Sequence, residues 1–186
     1  MHTSSIAFIE QVRARWTAIP PLELRGIGTG LVESLASYVS RVIATTGATR
    51  SGLARHLGLR STKQMHRLGA FHAAKDPGLT EAVIDELQRL TGQRALRCGT
   101  LWALSRIIAE NSPCHSGKSR RRWCPSCYED WDATSYEPLV WEIDLLICCP
   151  VHGCRLESSC PACGGEHSNS SQRQVGGGYA TRAVQS

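Results

Sequence analysis

The chain has 186 residues, 41% of them hydrophobic and 20% charged, with a formal net charge of +5. That length allows one ordinary domain or two small ones, and the composition points to a largely globular chain. No stretch of about eighteen apolar residues exists, which excludes a membrane-spanning helix, while the mild basicity suits a nucleic-acid partner without demanding one.

The opening MHTSSIAFIEQVRARW has no basic stretch followed by an apolar one, so no secretory signal is expected and a cytoplasmic setting follows. Leu31, Leu35, Val39, Val42 and Ile43 then recur at three- and four-residue spacing, with Gly47 behind them. This predicts an amphipathic helix that begins around Glu33-Ser34-Leu35. Thr49 to Leu59 reads as the first helix and turn of a helix-turn-helix. Ala54 is small enough for a close helix crossing, and Gly58 permits a left-handed turn. A second helix is predicted from Ser61, as its cap, through Met65 and Leu68. Two more follow. One runs from Thr80, read as N-cap, to Leu90, with Gly92 as its stop. The other runs from Arg94 or Leu96 to Ala109, with Leu96, Leu101, Leu104, Ile107 and Ile108 near one face. Two readings stand for this half: a helical bundle with no DNA role, and a helix-turn-helix that meets DNA.

Asn111-Ser112-Pro113 breaks the helical pattern, and a basic run follows to Arg122. The boundaries expected are a helical domain at 1–110, a metal module at 111–167 and a flexible Ser/Gly/Gln-rich tail at 168–186. Lys118, Arg120, Arg121 and Arg122 are candidate phosphate contacts, the other reading being a solvated linker. Leu139, Trp141, Ile143, Leu145 and Ile147 alternate with Glu142 and Asp144, predicting a strand that runs into Cys149. Asp130, Asp132, Glu142 and Asp144 read as a solvated face. No Walker loop, Ser/His/Asp set or two-carboxylate pattern stands out, so no enzyme is expected.

Nine cysteines in a reducing compartment read as metal ligands or redox centres before disulfides. Five fall in three turns of one shape: Cys124-Pro-Ser-Cys127, Cys149-Pro-Val-His152 and Cys160-Pro-Ala-Cys163. Such a turn sets two donors on one side of the chain, matching two corners of a tetrahedron, and proline pre-sets φ. Gly153 and Gly164 let the chain leave with positive φ. Cys124, Cys127, Cys149 and His152 form a set of three thiolates and one imidazole suited to zinc, with bonds of about 2.3 Å to sulfur and about 2.0 Å to nitrogen. No βαβ pattern supports a redox site, and the histidine argues against an iron–sulfur cluster. Four protein ligands close the shell, so the zinc would be structural. Cys160 and Cys163 form a half-site to which His167, Cys154 or the Cys114–His115 pair would add ligands. Cys98 and Cys148 read as small buried apolar groups.

Several blocks in this order resemble the TniQ family of transposon accessory proteins. They are Glu33-Ser34-Leu35-Ala36-Ser37-Tyr38 with Arg41, Leu90-Thr91-Gly92, Trp123-Cys124-Pro125-Ser126-Cys127, Trp141, Cys149 to Gly153, Leu156, and Cys160 to Gly164. The resemblance implies a mainly α fold with small zinc-ribbon β elements: a helical, helix-turn-helix-like bundle followed by tandem zinc ribbons. It also implies an adaptor role between a target selector and an AAA+ ATPase of TnsC type that recruits transposase. The selector would be a DNA-reading protein or an RNA-guided CRISPR complex, with contacts to DNA or guide-RNA phosphate. The chain departs from the family in showing no further Cys-x-x-Cys after Cys163 and no long C-terminal DNA-reading region. It reads as a short adaptor or a fragment. The rival expectation is a stand-alone, zinc-dependent DNA-binding transcriptional regulator.

Overall fold

A computed structural model describes residues 18–65, 77–102, 121–131 and 135–159. Helix α1 spans Leu35–Thr46. The Ser34 hydroxyl accepts from the Ser37 amide at 3.2 Å and fixes the start, so Leu31 lies before the helix instead of on its face. Gly47, at φ 67°, ends it in a conformation that disfavours any side chain. Leu35, Val39 and Val42 are buried, as the spacing predicts, Ile43 is half-buried, and Tyr38 joins the buried face.

Helix α2 spans Arg50–His56, capped by Thr49, whose hydroxyl accepts from Gly52 N–H at 3.1 Å. The chain turns at Gly58 with φ 70°, and the Leu59 amide reaches back to the Ala54 carbonyl at 2.9 Å. Helix α3 opens at Thr62 and is described to Met65. The Gln64 side chain accepts from the Ser61 amide at 3.2 Å, the return half of a capping box. Leu68 lies outside the described residues. Leu53, Ala54, Leu57, Leu59 and Met65 enter the same core as α1.

Helix α4 spans Pro77–Thr91 and starts three residues before the expected Thr80. Proline is tolerated in a first helical turn, where its missing N–H has no helical partner, and Thr80 is buried inside the helix instead of capping it. Val83, Ile84, Leu87 and Leu90 complete the core. Leu96–Gly99 forms a 3-10 turn, and Thr100 behind it is extended at φ −126°, ψ 150°. A single helix from Leu96 to Ala109 is therefore interrupted, and residues 103–110 lie outside the described ones. The chain passes close to α1 here: a Cβ on Gly99 would stand 2.9 Å from the Glu33 carbonyl oxygen.

A short helix, α5, spans Pro125–Asp130. The predicted strand at 139–147 is absent; Leu139–Glu142 is a 3-10 turn and Leu145 and Ile147 are exposed. The cause is Arg122. Its guanidinium donates to the carbonyls of Asp144 at 3.2 Å, Leu146 at 2.6 Å and Trp141 at 3.1 Å, and also to that of Ile143. These carbonyls are satisfied by a side chain, so the segment wraps round an arginine instead of pairing with a strand. Among the described residues the β content is three isolated antiparallel bridges, and the fold is mainly helical.

The segment 135–143 joins the cysteine turns to the helices. Ser34 N–H donates to the Glu137 carbonyl at 2.8 Å, and Leu139 N–H to the Val32 carbonyl at 2.7 Å. The Ser37 hydroxyl accepts from Glu137 N–H at 3.0 Å while donating to Glu33 Oε1 at 2.9 Å. Glu33 is fully buried, and Arg41 neutralises it with paired bonds of 2.7 and 2.5 Å. Leu139 and Leu101 pack together below this seam.

Candidate metal centre

The first two cysteine turns come together. In the first, Cys124 takes the N-cap position of α5, its sulfur accepting from Cys127 N–H at 3.3 Å, with Pro125 opening the helix. In the second, Gly153 N–H bonds the Cys149 carbonyl at 2.8 Å, and Gly153 sits at φ 65°, as its place after His152 predicts. Trp123 and Glu157 exchange both backbone hydrogen bonds, at 2.9 and 2.8 Å, closing the base of the module.

The ligand atoms of Cys124, Cys127, Cys149 and His152 all lie within 4.8 Å of one another. The sulfurs of Cys127 and Cys149 are 3.6 Å apart, and His152 Nδ1 is 3.5, 3.3 and 3.7 Å from Cys124, Cys127 and Cys149. Zinc bond lengths in a regular tetrahedron give edges of roughly 3.8 Å between sulfurs and roughly 3.6 Å between sulfur and nitrogen. The four donors therefore fit a tetrahedral divalent ion.

The surroundings favour it too. All three sulfurs are buried, packed with Trp141 and Leu156. The Trp131 ring stacks on Tyr136 at 4.9 Å and on Trp141 at 5.8 Å, walling one side. Burial pushes the Cys124 thiol up to about 11, and Cys127 rises further for the same reason. Burial also raises Cys149, but the backbone N–H groups of His152 and Val151 and the imidazole outweigh it and hold that thiol at about 7. Crowded neutral thiols become a favourable shell once a cation sits at their centre, because a coordinating thiol is deprotonated outright. His152 turns its Nε2 to Asp130 Oδ2 at 2.8 Å. That carboxylate fixes the ring's tautomer and aims Nδ1 at the sulfurs.

Two features of this centre escaped the sequence reading. Asp130 lies three residues after Cys127 on one helix, a spacing that places it on the same side. Cys154 brings a further sulfur to 3.3 Å from that of Cys124. Cys160, Cys163 and His167 lie outside the described residues, as do Cys114 and His115. Cys98 and Cys148 are exposed, not buried as expected, and both are free thiols.

Of the candidate phosphate contacts, Lys118 and Arg120 also lie outside the described residues. The guanidinium groups of Arg121 and Arg122 are turned to internal partners. Arg121 pairs with Glu137, its Nε 2.8 Å from Oε2, and Arg122 holds the carbonyls described above. Of the acidic group, Asp132 lies outside the described residues, and the other three do not form a uniform solvated face. Glu142 Oε2 is buried without a hydrogen-bond partner, Asp144 faces Arg122, and Asp130 serves His152.

A family model for TniQ matches residues 24–156. The chain belongs to the TniQ family. The matched span begins at Leu24, takes in the Glu33–Arg41 pair and the whole cluster of three cysteines and one histidine, and stops before Cys160. TniQ membership makes this a transposition-associated protein. No curated protein matches the chain. Among the described residues, no helix is long and apolar enough to cross a membrane.

Proposed function

We propose that this TniQ protein is a non-enzymatic adaptor in DNA transposition. It links a target selector to an AAA+ regulator of TnsC type and so directs transposase to the insertion site. The observation that carries this, beside the family match, is the closed four-donor cluster stitched to the helical core. Four protein donors leave no open position for a reacting water, so zinc there supplies rigidity, as in structural sites. The module then presents a stiff surface. Leu145, Ile147 and Val151 stand exposed at 60%, 63% and 55% around the second cysteine turn and offer apolar surface to a partner. The selector in this reading is an RNA-guided CRISPR complex or a DNA-reading protein, and the protein works in the cytoplasm. The test is co-purification of the full chain with the AAA+ ATPase encoded beside it, with and without chelator. Metal-dependent capture supports the adaptor, and failure of the loaded protein to bind the ATPase refutes it.

The second reading, a zinc-dependent DNA-binding transcriptional regulator, is favoured by one observation. Helices α2 and α3 flank the Gly58 turn, with Arg55, Arg60 and Lys63 exposed around it, an arrangement compatible with a helix-turn-helix. A zinc-ribbon pairing of the cysteine turns is compatible with either role. Sequence-selective duplex binding by the isolated protein at about 0.15 M salt would favour the regulator over the adaptor.

A further inference from the structure

We infer that Cys154 is a resolving thiol for Cys124: on exposure to a peroxide the two sulfurs join in a disulfide, which withdraws Cys124 from the metal and releases the ion. The structural site is then also a redox switch. The inference rests on the metal-holding reading of the cluster.

Cys154 Sγ lies 3.3 Å from Cys124 Sγ. A disulfide needs about 2.05 Å, so the two sulfurs have roughly 1.3 Å to close. The backbone holds the pair in place. The Cys154 carbonyl accepts from Cys149 N–H at 2.8 Å, and Trp123, next to Cys124, exchanges both hydrogen bonds with Glu157. Cys127 and Cys149 also bring their sulfurs within 3.6 Å of each other, but both belong to the four-donor set, and Cys154 does not. Its thiol is therefore free of the ion while its neighbour is bound. It is also half-buried, whereas Cys124, Cys127 and Cys149 are buried. A solute that reaches the centre meets Cys154 before any of the three ligand sulfurs. An accessible sulfur beside a second thiol is the arrangement of redox-sensing cysteines.

The oxidant is a hydroperoxide, of which hydrogen peroxide is the simplest. The Cys154 sulfur attacks one peroxide oxygen, the O–O bond breaks, and a sulfenic acid and water form. The Cys124 thiolate then attacks the Cys154 sulfur. The S–S bond forms, the S–O bond breaks, and hydroxide leaves to take a proton from solvent. Two sulfurs have lost two electrons and the peroxide has gained two. The thiolate is the metal-binding form of cysteine, and a disulfide sulfur has lost it. Cys127, Cys149 and His152 remain, three donors where a closed structural site has four. A thiol reductant reverses the bond and restores the set.

The full chain is loaded with zinc, treated with hydrogen peroxide and followed with a chromogenic zinc chelator, alongside Cys154→Ser. Both proteins should hold the same zinc at the start, since Cys154 is not among the four donors. The parent should then release the zinc of this centre, and dithiothreitol with added zinc should restore it. The Cys154→Ser form should release that zinc roughly tenfold more slowly, its resolving thiol gone. Any zinc held by Cys160 and Cys163 leaves both proteins alike and cancels. Tandem mass spectrometry of the oxidised parent should find Cys124 joined to Cys154, and this measurement decides alone if the variant does not fold. Equal release by the two proteins, or a parent cross-link from Cys124 to Cys127, Cys148 or Cys149 instead, overturns the inference while the metal site stands. A parent that binds no zinc ends the metal reading and this inference with it.

Discussion

Replacing Glu142 by Gln removes one ionisable group from the seam between the cysteine module and α1. Burial pushes this carboxyl up to about 7, outweighing the Ser34 hydroxyl bond and the nearby Arg121, which both pull it down. In the unfolded chain it titrates near its ordinary 4.5. Between those values the folded protein keeps a proton that the unfolded chain has released. Stability is therefore fully present below the unfolded value and is lost as pH rises through the folded one. With about 1.4 kcal/mol for each tenfold change, the loss is about 1 kcal/mol by about pH 5 and about 3 kcal/mol by about pH 8. Gln resembles the protonated acid and carries none of this dependence. Urea unfolding of parent and Glu142→Gln at one fixed free-zinc level should show the variant gaining about 2 to 2.5 kcal/mol on the parent between about pH 5 and about pH 8. Acid-driven loss of metal acts on both proteins and cancels in the difference. Stability curves that stay parallel across this range would refute a buried, proton-holding Glu142.

Cys124→Ser or Cys149→Ser should abolish metal retention in native mass spectrometry and unfold the module, because binding and folding are one event in small zinc units. Arg122→Met should cost about 3 kcal/mol or more in denaturant unfolding, since four carbonyls lose a charged donor, and Arg122→Lys should restore less than half of it. Arg121→Ala should leave the salt dependence of any DNA binding unchanged, because that side chain is committed to Glu137; a phosphate contact would lower the slope by about 1. Ser34→Ala should cost about 1 kcal/mol through the lost cap of α1, read from the same unfolding curves.

What the sequence made legible was local. Ser34 and Gly47 bound α1, Gly92 ends α4, and two proline-bearing turns place four donors, because caps and Cys-x-x-Cys turns act within a few residues. What it hid was set by distant partners. The alternation from Leu139 to Ile147 looks like a strand until Arg122, 19 to 24 residues earlier in the chain, claims its carbonyls. The same burial turns a basic run that reads as linker into a brace at its last two residues. Glu142 looked solvated because its neighbours Leu139 and Trp141 gave no hint that the seam would cover its Oε2. Cys154 reads from the sequence as a candidate ligand of the Cys160–Cys163 half-site, whereas in the fold its sulfur lies 3.3 Å from that of Cys124, a contact set by the chain's long-range path.

The hydrogen bond from Glu137 N–H to the Ser37 hydroxyl spans 100 positions of sequence. On a ribosome the α1 region is made long before residues 137–139 emerge, so its edge stays open to water through most of synthesis. The second pair of metal donors, Cys149 and His152, emerges after this strip. Scarcity of the ion during translation would thus be felt upstream, in helices that supply none of the four donors, as slow maturation and early proteolysis.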